Sequence, residues 1–153
     1  MAYYTKVLQP DEAVKYVGSL HWTIYRNSIV LGLLAVLAAA VSVVLQDYQK
    51  TAVLLGSGVI LVLAALSFIG DWFVRVTTEI VVTDKRIIHK TGWIARHTEE
   101  INISKVETVD VSQGVVGRIF DFGTVVIRGI GGSWEPLRRV ASPLQLRNAI
   151  IVG

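Results

Sequence analysis

The sequence predicts a membrane hairpin of two α-helices followed by an all-β antiparallel domain that one C-terminal helix closes. Two runs of about twenty residues, 27–45 and 51–70, contain no charged residue. As helices they rise roughly 30 Å, which matches the hydrocarbon core of a bilayer. From Thr77 onward apolar residues alternate with polar ones, a pattern typical of strands. Near the C-terminus, Ser142, Pro143 and Gln145 form a pattern typical of the start of a helix.

The apolar runs have two other interpretations. Two buried helices of a soluble core would need a protein large enough to surround them, and about eighty remaining residues of a 153-residue chain are too few. The segment 38–42 offers small residues like those of a signal-peptide cleavage site. However, twenty-six mostly polar residues precede the first run, too many for a usual leader. We therefore expect an uncleaved anchor.

Three regions follow from this interpretation: an N-terminal cytoplasmic segment (1–26), a two-helix transmembrane hairpin (27–70) and a cytoplasmic domain (71–153). The turn Gln46–Lys50 is short, so the helices must be antiparallel neighbours. Most basic residues near the helices lie before the first run or after the second: Lys6, Lys15, Arg26, Arg75, Lys85, Arg86 and Lys90. Lys50 alone lies in the turn, so both termini are predicted to be cytoplasmic.

Aromatic residues flank the hairpin where a bilayer interface is expected. Trp22 and Tyr25 precede the first run, and Trp72 and Phe73 follow the second. We predict that these four residues anchor the hairpin at one interface.

The interior of the two runs holds no ionisable side chain, which argues against a channel or transporter formed by this hairpin alone. Small residues are frequent in both runs, and they permit close helix approach. They are Ala35, Ala38, Ala39, Ser42, Gly56, Ser57 and Gly58. Packing within the hairpin and packing between protomers both remain open.

The cytoplasmic domain is predicted to contain six or seven short antiparallel strands. A first hairpin spans residues 77–91 with a turn at Thr83–Lys85, and Gly92 with Trp93 forms a second turn. A strand follows at 93–103. Val106 lies in one phase of the next run, whereas Val109 and Val111 lie in the other, so we expect a bulge or bend between them.

The remainder of the domain is rich in turn signals. The segment Gly114–Gly123 breaks the alternation with three glycines and predicts a turn with one helical turn inside. Residues 124–130 and 133–140 are predicted strands joined at Gly131–Gly132, and Pro136 favours an edge or a bulge. Ser142 is predicted to N-cap the last helix, with Pro143 at its first position and Gln145 completing a capping box.

The stretch "VVTDKRIIHKTGW…INISKVETVDVSQGVVGRIFDFGTVVIRGIGG…RRVASPLQLRNAI" resembles the bacterial pleckstrin-homology-like (PH-like) domains of small membrane proteins. The resemblance covers roughly 72–150, and the two-helix leader is similar to one arrangement in that family. It implies a PH-like antiparallel barrel or sandwich closed by the C-terminal helix. The carrying residues are Thr83, Asp84, Arg86, Gly92, Ile103, Val106–Val111, Arg118, Phe120, Gly123, Thr124, Val125, Ile127, Pro143 and Ile150.

No constellation in the sequence indicates catalysis. His21, His89 and His97 lack the spacing of a zinc site, and the chain has no cysteine. Glu99 and Glu100 are adjacent, so on a strand they point to opposite faces. We expect neither an enzyme nor a metal or cofactor. A buried histidine–acid pair around His89 or His97 would argue for an enzyme.

Two surfaces are candidates for binding. Lys85, Arg86 and Lys90 lie in the first hairpin and are a possible contact for anionic lipid. Val115, Val116, Arg118, Ile119 and Phe120 lie in the glycine-rich turn region; their apolar side chains are core by default, and if exposed they offer a patch for self-assembly or for insertion into the bilayer. Residues 71–153 hold eleven basic and nine acidic side chains, which argues against nucleic acid.

We therefore expect a membrane-anchored, non-catalytic binding or assembly module that self-associates and recruits partners at the cytoplasmic face of the bacterial inner membrane. The alternative is an accessory subunit that stabilises a larger integral-membrane enzyme or transporter. Membrane lipids, a homo-oligomer or other membrane proteins are the expected partners, and no small-molecule substrate is inferred.

Overall fold

The computed structural model describes residues 7–92, 97–130, 132–133 and 136–152. The chain divides into two compact units. The helical unit comprises Trp22–Phe73, and the β unit combines the residues up to His21 with those from Val74 onward. The predicted turn at Trp93 and the predicted connection at Gly131 fall on positions outside the described residues.

The helical unit contains the two predicted apolar helices. A 3-10 turn at Trp22–Tyr25 leads into α1 (Arg26–Val41), and α2 spans Asp47–Thr77, with its last residues in the β unit. Together with the preceding 3-10 turn, α1 forms a helical segment of 20 residues, and this segment and α2 are both long and apolar enough to cross a membrane. With 31 residues α2 rises about 46 Å, and it continues past the predicted end at Gly70 because no proline interrupts the backbone.

Small side chains pack the two helices together. Ala35 of α1, Ser42 just after it, and Ser57 and Ala64 of α2 are buried, whereas Gly58 is exposed. The Ser28 hydroxyl also lies 2.8 Å from the Asp71 carboxylate and 3.0 Å from the Ser67 hydroxyl. Of the two uses that the sequence left open, packing within the hairpin therefore accounts for these buried small residues.

The first sheet of the β unit has the order β1-β2-β3-β4. Its strands, all antiparallel to their neighbours, are β1 (Val14–Gly18), β2 (Glu79–Thr83), β3 (Arg86–Thr91) and β4 (His97–Asn102). β2 is buried along nearly its whole length because it is a central strand that also faces the core.

The second sheet contains β5 (Val106–Ser112), β6 (Phe122–Gly129), β7 (Gly132–Ser133) and β8 (Leu137–Ala141), with β5, β7 and β8 all paired to β6. A 3-10 turn at Ile103–Lys105 separates β4 from β5, and β5 has a register shift between Val106 and Thr108. The register shift is the bulge that was predicted from the change in apolar alternation between Val106 and Val109. A short helix α3 (Val115–Ile119) joins β5 to β6, as predicted.

The core of the β unit lies between the two sheets, and the C-terminal helix α4 (Pro143–Ile151) packs against it. Leu146 and Ile150 of α4 are fully or almost fully buried. They join a cluster of strand residues formed by Ile80, Val82, Ile87, Val109, Val125, Ile127, Leu137 and Val140. Two antiparallel sheets and a packed C-terminal helix are consistent with the predicted PH-like fold.

The residues before the hairpin belong to the β unit, which corrects the predicted boundary at residue 71. β1 pairs with β2 from Val14 opposite Thr83 to Gly18 opposite Ile80. Leu20 then forms a β-bridge with Val140 of the second sheet. Residues 7–21 are thus part of the β unit rather than of a separate region, and the apolar hairpin is inserted between β1 and β2.

The β unit has two recognisable ends. At the link end the chain passes to and from the hairpin, and Arg75 Nε donates to the carbonyl of Leu20 at 3.2 Å. The distal end holds the β2–β3 turn and the 3-10 turn, joined where Ile103 N donates to the Lys85 carbonyl at 3.0 Å. β2 runs between the ends over five residues, or about 17 Å.

Ser142 occupies the N-cap position of the last helix, but the predicted side-chain cap was wrong. Ser142 has a left-handed backbone (φ 47°) and makes no side-chain cap. Its hydroxyl instead donates to Asp121 Oδ2 at 2.6 Å, and its N–H donates to the Asp121 carbonyl at 2.9 Å. Pro143 does occupy the first turn, where the missing N–H costs nothing.

Candidate functional site

Arg86, predicted as a lipid contact, lies in an internal network at the distal end. Its Nε and Nη2 donate to the two carboxylate oxygens of Glu12 at 2.9 and 2.8 Å, and Nη2 also donates to the carbonyl of Val7 at 2.9 Å. Nη1 donates to Glu100 Oε2 at 2.8 Å. A bidentate pair of this kind fixes both side chains, so Arg86 holds the N-terminal segment against the first sheet.

Glu12 is the counterpart of this arginine, and its side chain is fully buried. Besides Arg86, the hydroxyl of Thr83 donates to Oε1 at 2.7 Å and the N–H of Gln9 donates to Oε2 at 3.0 Å. The hydrogen bond from Arg86 outweighs the effect of burial and lowers the pKa of Glu12 from 4.5 to about 2. The same pair raises the pKa of Arg86, so both groups are charged at neutral pH.

A polar groove of about 440 Å³ opens beside this network. Lys85 and Lys105 contribute exposed ammonium groups, and Asn102 and Gln9 contribute polar side chains. Glu100, the acid in the lining, is paired with Arg86. The groove, defined by Gln9, Lys85, Arg86, Glu100, Ile101, Asn102 and Lys105, thus has a net positive lining that favours an anion. We call it the distal groove.

The structure does not bring the three predicted cations together. Lys85 and Arg86 line the distal groove, whereas Lys90 pairs in register with Glu79 at the link end of β2. Arg86 and Lys90 are four steps apart on an extended strand, a separation of roughly 13 Å. Lys105 was missed by the sequence analysis because its approach to Lys85 depends on the 3-10 turn between β4 and β5.

The predicted apolar patch is exposed rather than part of the core. Val115, Val116, Ile119 and Phe120 have exposed fractions of 78%, 58%, 72% and 48%. Arg118 is exposed as well. These five residues, in and just after α3, are called the α3 patch below.

The α3 patch is next to the link end. The ring of His21 stacks on Phe122 with centroids 5.1 Å apart, and the N–H of His21 donates to the Arg139 carbonyl at 2.7 Å. Burial lowers the pKa of His21, and the nearby Arg75 lowers it further, while Asp121 and a hydrogen bond with the Phe120 backbone oppose the shift. His21 therefore favours its neutral form at neutral pH and acts as a packed aromatic.

The four predicted interface anchors lie in the helical unit. Trp22, Trp72 and Phe73 are exposed by 45%, 47% and 42%, as an anchor requires. Tyr25 is buried and stacks on Phe68 with ring centroids 4.7 Å apart, so its ring packs against α2.

The histidines and acids of β3 and β4 form a small cluster. Glu99 Oε1 lies 3.2 Å from His97 Nε2, but His97 is 71% exposed. Glu99 Oε2 lies 4.0 Å from His89 Nδ1, beyond hydrogen-bond distance, and is buried without a hydrogen-bond partner. Within the described part of the chain, no three histidines or acids are arranged to hold a metal ion.

Comparison with known proteins identifies a family. The family model described as "Bacterial PH domain" matches residues 28–151, a range that includes both apolar helices as well as β2 to α4. No curated protein and no solved structure matches the chain significantly.

Proposed function

Because the chain belongs to the bacterial PH domain family, we propose that it is a non-catalytic binding and assembly module anchored in the bacterial inner membrane. The β unit faces the cytoplasm, associates with further copies of itself and recruits partner proteins there. Membrane lipids surround the hairpin.

The insertion of the hairpin between two paired strands carries this proposal. β1 and β2 flank the hairpin in sequence and are hydrogen-bonded neighbours in one sheet. Both ends of the hairpin therefore begin from one folded unit, which requires them to lie on the same side of any membrane. An even number of crossings follows, in agreement with two apolar helices and a short turn.

The surface of the two helices supports a lipid environment. Many of their large apolar side chains are more than half exposed, among them Leu33, Leu37, Leu55, Val62 and Leu66. Such a contiguous apolar surface is unfavourable in water and is expected where lipid chains cover it. The positive charges on the flanking segments support a cytoplasmic β unit.

Two features of the β unit support partner binding. Among the described residues, β4 pairs with β3 alone and β5 with β6 alone, so each has an edge that can accept another strand. The distal groove adds a cationic surface at the end of the unit away from the hairpin links. A partner with acidic or phosphorylated groups fits this surface by charge.

The topology is testable because the chain has no native cysteine. Gln49→Cys, an exposed position at the start of α2, should react with a membrane-impermeant maleimide added to intact spheroplasts. Ser104→Cys, an exposed position of the β unit, should react only after the membrane is opened. Labelling of position 104 from outside would overturn the proposed orientation, and equal labelling of both positions would overturn the anchor.

Assembly is tested by the mass of the complex extracted from native membranes in mild detergent. A complex containing several copies of this chain supports a self-associating module. A fixed stoichiometric companion with no second copy would instead indicate an accessory subunit, and a monomer without companions would contradict assembly altogether.

A further inference from the structure

The α3 patch is an apolar surface for which the β unit has no internal use. Val115, Val116 and Ile119 are each more than half exposed, and none of them belongs to the core cluster between the sheets. Four apolar side chains within six consecutive residues make a contiguous surface rather than scattered exposure. A surface of this kind marks a contact with another molecule.

The patch is held in place by specific contacts. The side-chain amide of Gln113 donates to the carbonyls of Gly117 and Phe122 at 3.3 and 3.2 Å. Gly117 lies so close to the strand that an added Cβ would be 2.5 Å from the Phe122 carbonyl oxygen. The inner side of α3 is thus packed against β6, and the apolar side chains on either side of Gly117 point away from the unit.

The position of α3 points to what covers it. Phe120 and Phe122, at the end of α3 and the start of β6, contact His21 through its ring and the Phe120 backbone. His21 is followed directly by Trp22, where the first apolar helical segment begins, and consecutive Cα atoms are 3.8 Å apart. The α3 patch therefore lies at the link end, beside the point where the chain enters the hairpin.

We propose that the α3 patch inserts into the headgroup region of the same bilayer that the hairpin spans, as a third membrane contact of this chain. This inference rests on the proposed membrane anchoring. Val115, Val116, Ile119 and Phe120 enter the boundary between headgroups and acyl chains, as apolar faces of interfacial helices do. Arg118 remains among the headgroups, where its charge complements anionic lipid.

The bilayer fits the patch better than a second protein does. A stable protein interface buries about 800 Å² on each partner, more than a five-residue helix with three apolar side chains and the adjoining Phe120 supply. Lipid needs no shape complementarity, and the covalent links to the proposed membrane hairpin keep the β unit near the bilayer. The entropic cost of inserting the patch is therefore small, because the hairpin already tethers the β unit to the same bilayer.

Single-cysteine variants of the full-length protein test this inference. The protein carries an environment-sensitive fluorophore at one position and is reconstituted into vesicles of phosphatidylethanolamine and phosphatidylglycerol with nitroxide-labelled acyl chains. The test positions are Val116→Cys and Ile119→Cys. Ser104→Cys at the distal end is the water-exposed control, and Val62→Cys in the middle of α2 is the lipid-exposed control.

We expect the nitroxide lipids to quench positions 116 and 119 several-fold more than position 104. Adding Val116→Asp to the Ile119→Cys protein should reduce that quenching several-fold, since a carboxylate opposes insertion, while circular dichroism stays unchanged because the position is exposed. Quenching at 62 with none at 116 and 119 would overturn the inference and leave the anchor intact. Absence of quenching at 62 would overturn the proposed anchor itself.

A second copy would give a different result. Energy transfer between differently labelled protomers at position 119, without quenching by lipid, would replace the bilayer by a protein interface and would also overturn the inference.

Discussion

The guanidinium of Arg86 holds the carboxylate of Glu12 through two parallel hydrogen bonds of 2.9 and 2.8 Å, across 74 positions of sequence. The pair fastens the segment before the hairpin to the strands after it. It is also shielded, since the Glu12 side chain is fully buried and that of Arg86 is 19% exposed. Several measurable properties depend on this contact.

Removing one partner should destabilise the β unit strongly. Glu12→Ala leaves the guanidinium without its bidentate acceptor, and breaking a buried pair in this way costs about 3 kcal/mol of unfolding free energy. Thermal unfolding in detergent micelles, followed by circular dichroism, measures the loss. Arg128→Ala is the matched control, because its pair with Asp110 is exposed on both sides and should contribute less than about 1 kcal/mol. Equal losses in the two variants would contradict the structural role of Arg86.

Acid should weaken the same contact. The folded-state pKa of Glu12 is lowered from 4.5 to about 2, so its stabilising contribution is complete above pH 4.5 and is lost as the pH falls from there through 2. The difference in unfolding midpoint between the native chain and Glu12→Gln should therefore be largest at neutral pH and shrink toward pH 3. A difference that stays constant over this range would show that the carboxylate charge contributes nothing.

The hairpin should be replaceable by a short linker. Arg75 Nε lies 3.2 Å from the Leu20 carbonyl, so the two ends of the hairpin leave the β unit close together. Joining residue 21 to residue 74 through a few glycines and serines should give a folded β unit. Without the apolar helices, this protein should stay in solution without bound detergent. Sedimentation and circular dichroism check the product. The matched control is residues 74–153 alone, which lack β1 and Glu12 and should fail to fold cooperatively.

Gly117 should tolerate no side chain. A Cβ at this position would lie 2.5 Å from the Phe122 carbonyl oxygen, so Gly117→Ala must displace α3 or the start of β6. Overpacking of this kind costs about 1–3 kcal/mol. Gly114→Ala is the control, because no atom within 4 Å would meet its Cβ. Loss of stability in both variants alike would indicate general sensitivity of the turn rather than the close approach at Gly117.

The distal groove should bind anions through Lys85 and Lys105. Inorganic phosphate, compared with chloride at equal ionic strength, should slow acylation of these two lysines, as measured by mass spectrometry. Lys15 on β1 lies outside the groove lining and should react at the same rate in both salts. Equal protection of all three lysines would show that phosphate acts by general ionic screening and not by binding in the distal groove.

Most strands after the hairpin could be predicted from the sequence. Each pairs with a neighbour and buries at least one face, and this burial produces the alternation of apolar and polar residues. β2, β3, β5, β6 and β8 and the C-terminal helix follow from that pattern, as does the helical turn after Gly114. β1 escaped prediction because it is short and mostly exposed, so its sequence lacks a clear alternation. Its pairing depends on β2, which lies on the far side of the hairpin.

The candidate sites depended on contacts that the sequence does not display. The sequence predicted that Arg86 contacts lipid, because its partner Glu12 lies far away in sequence, before the hairpin. Lys105 joined the groove through a 3-10 turn, and Ser142 adopted a left-handed backbone that no capping pattern indicates. The α3 patch was identified as a set of residues, but its exposure followed only from the close packing of Gly117.

The order of the strands has a consequence for biosynthesis. β1 leaves the ribosome before both apolar helices, and β2 leaves after them, so β1 has no partner until the hairpin has been made. Under the proposed membrane anchoring, a chain that inserted only one helix would leave β1 and β2 on opposite sides of the membrane, where they cannot pair. We therefore expect the β unit to mature only after two-pass insertion, and a misinserted chain to stay unfolded and open to proteolytic removal.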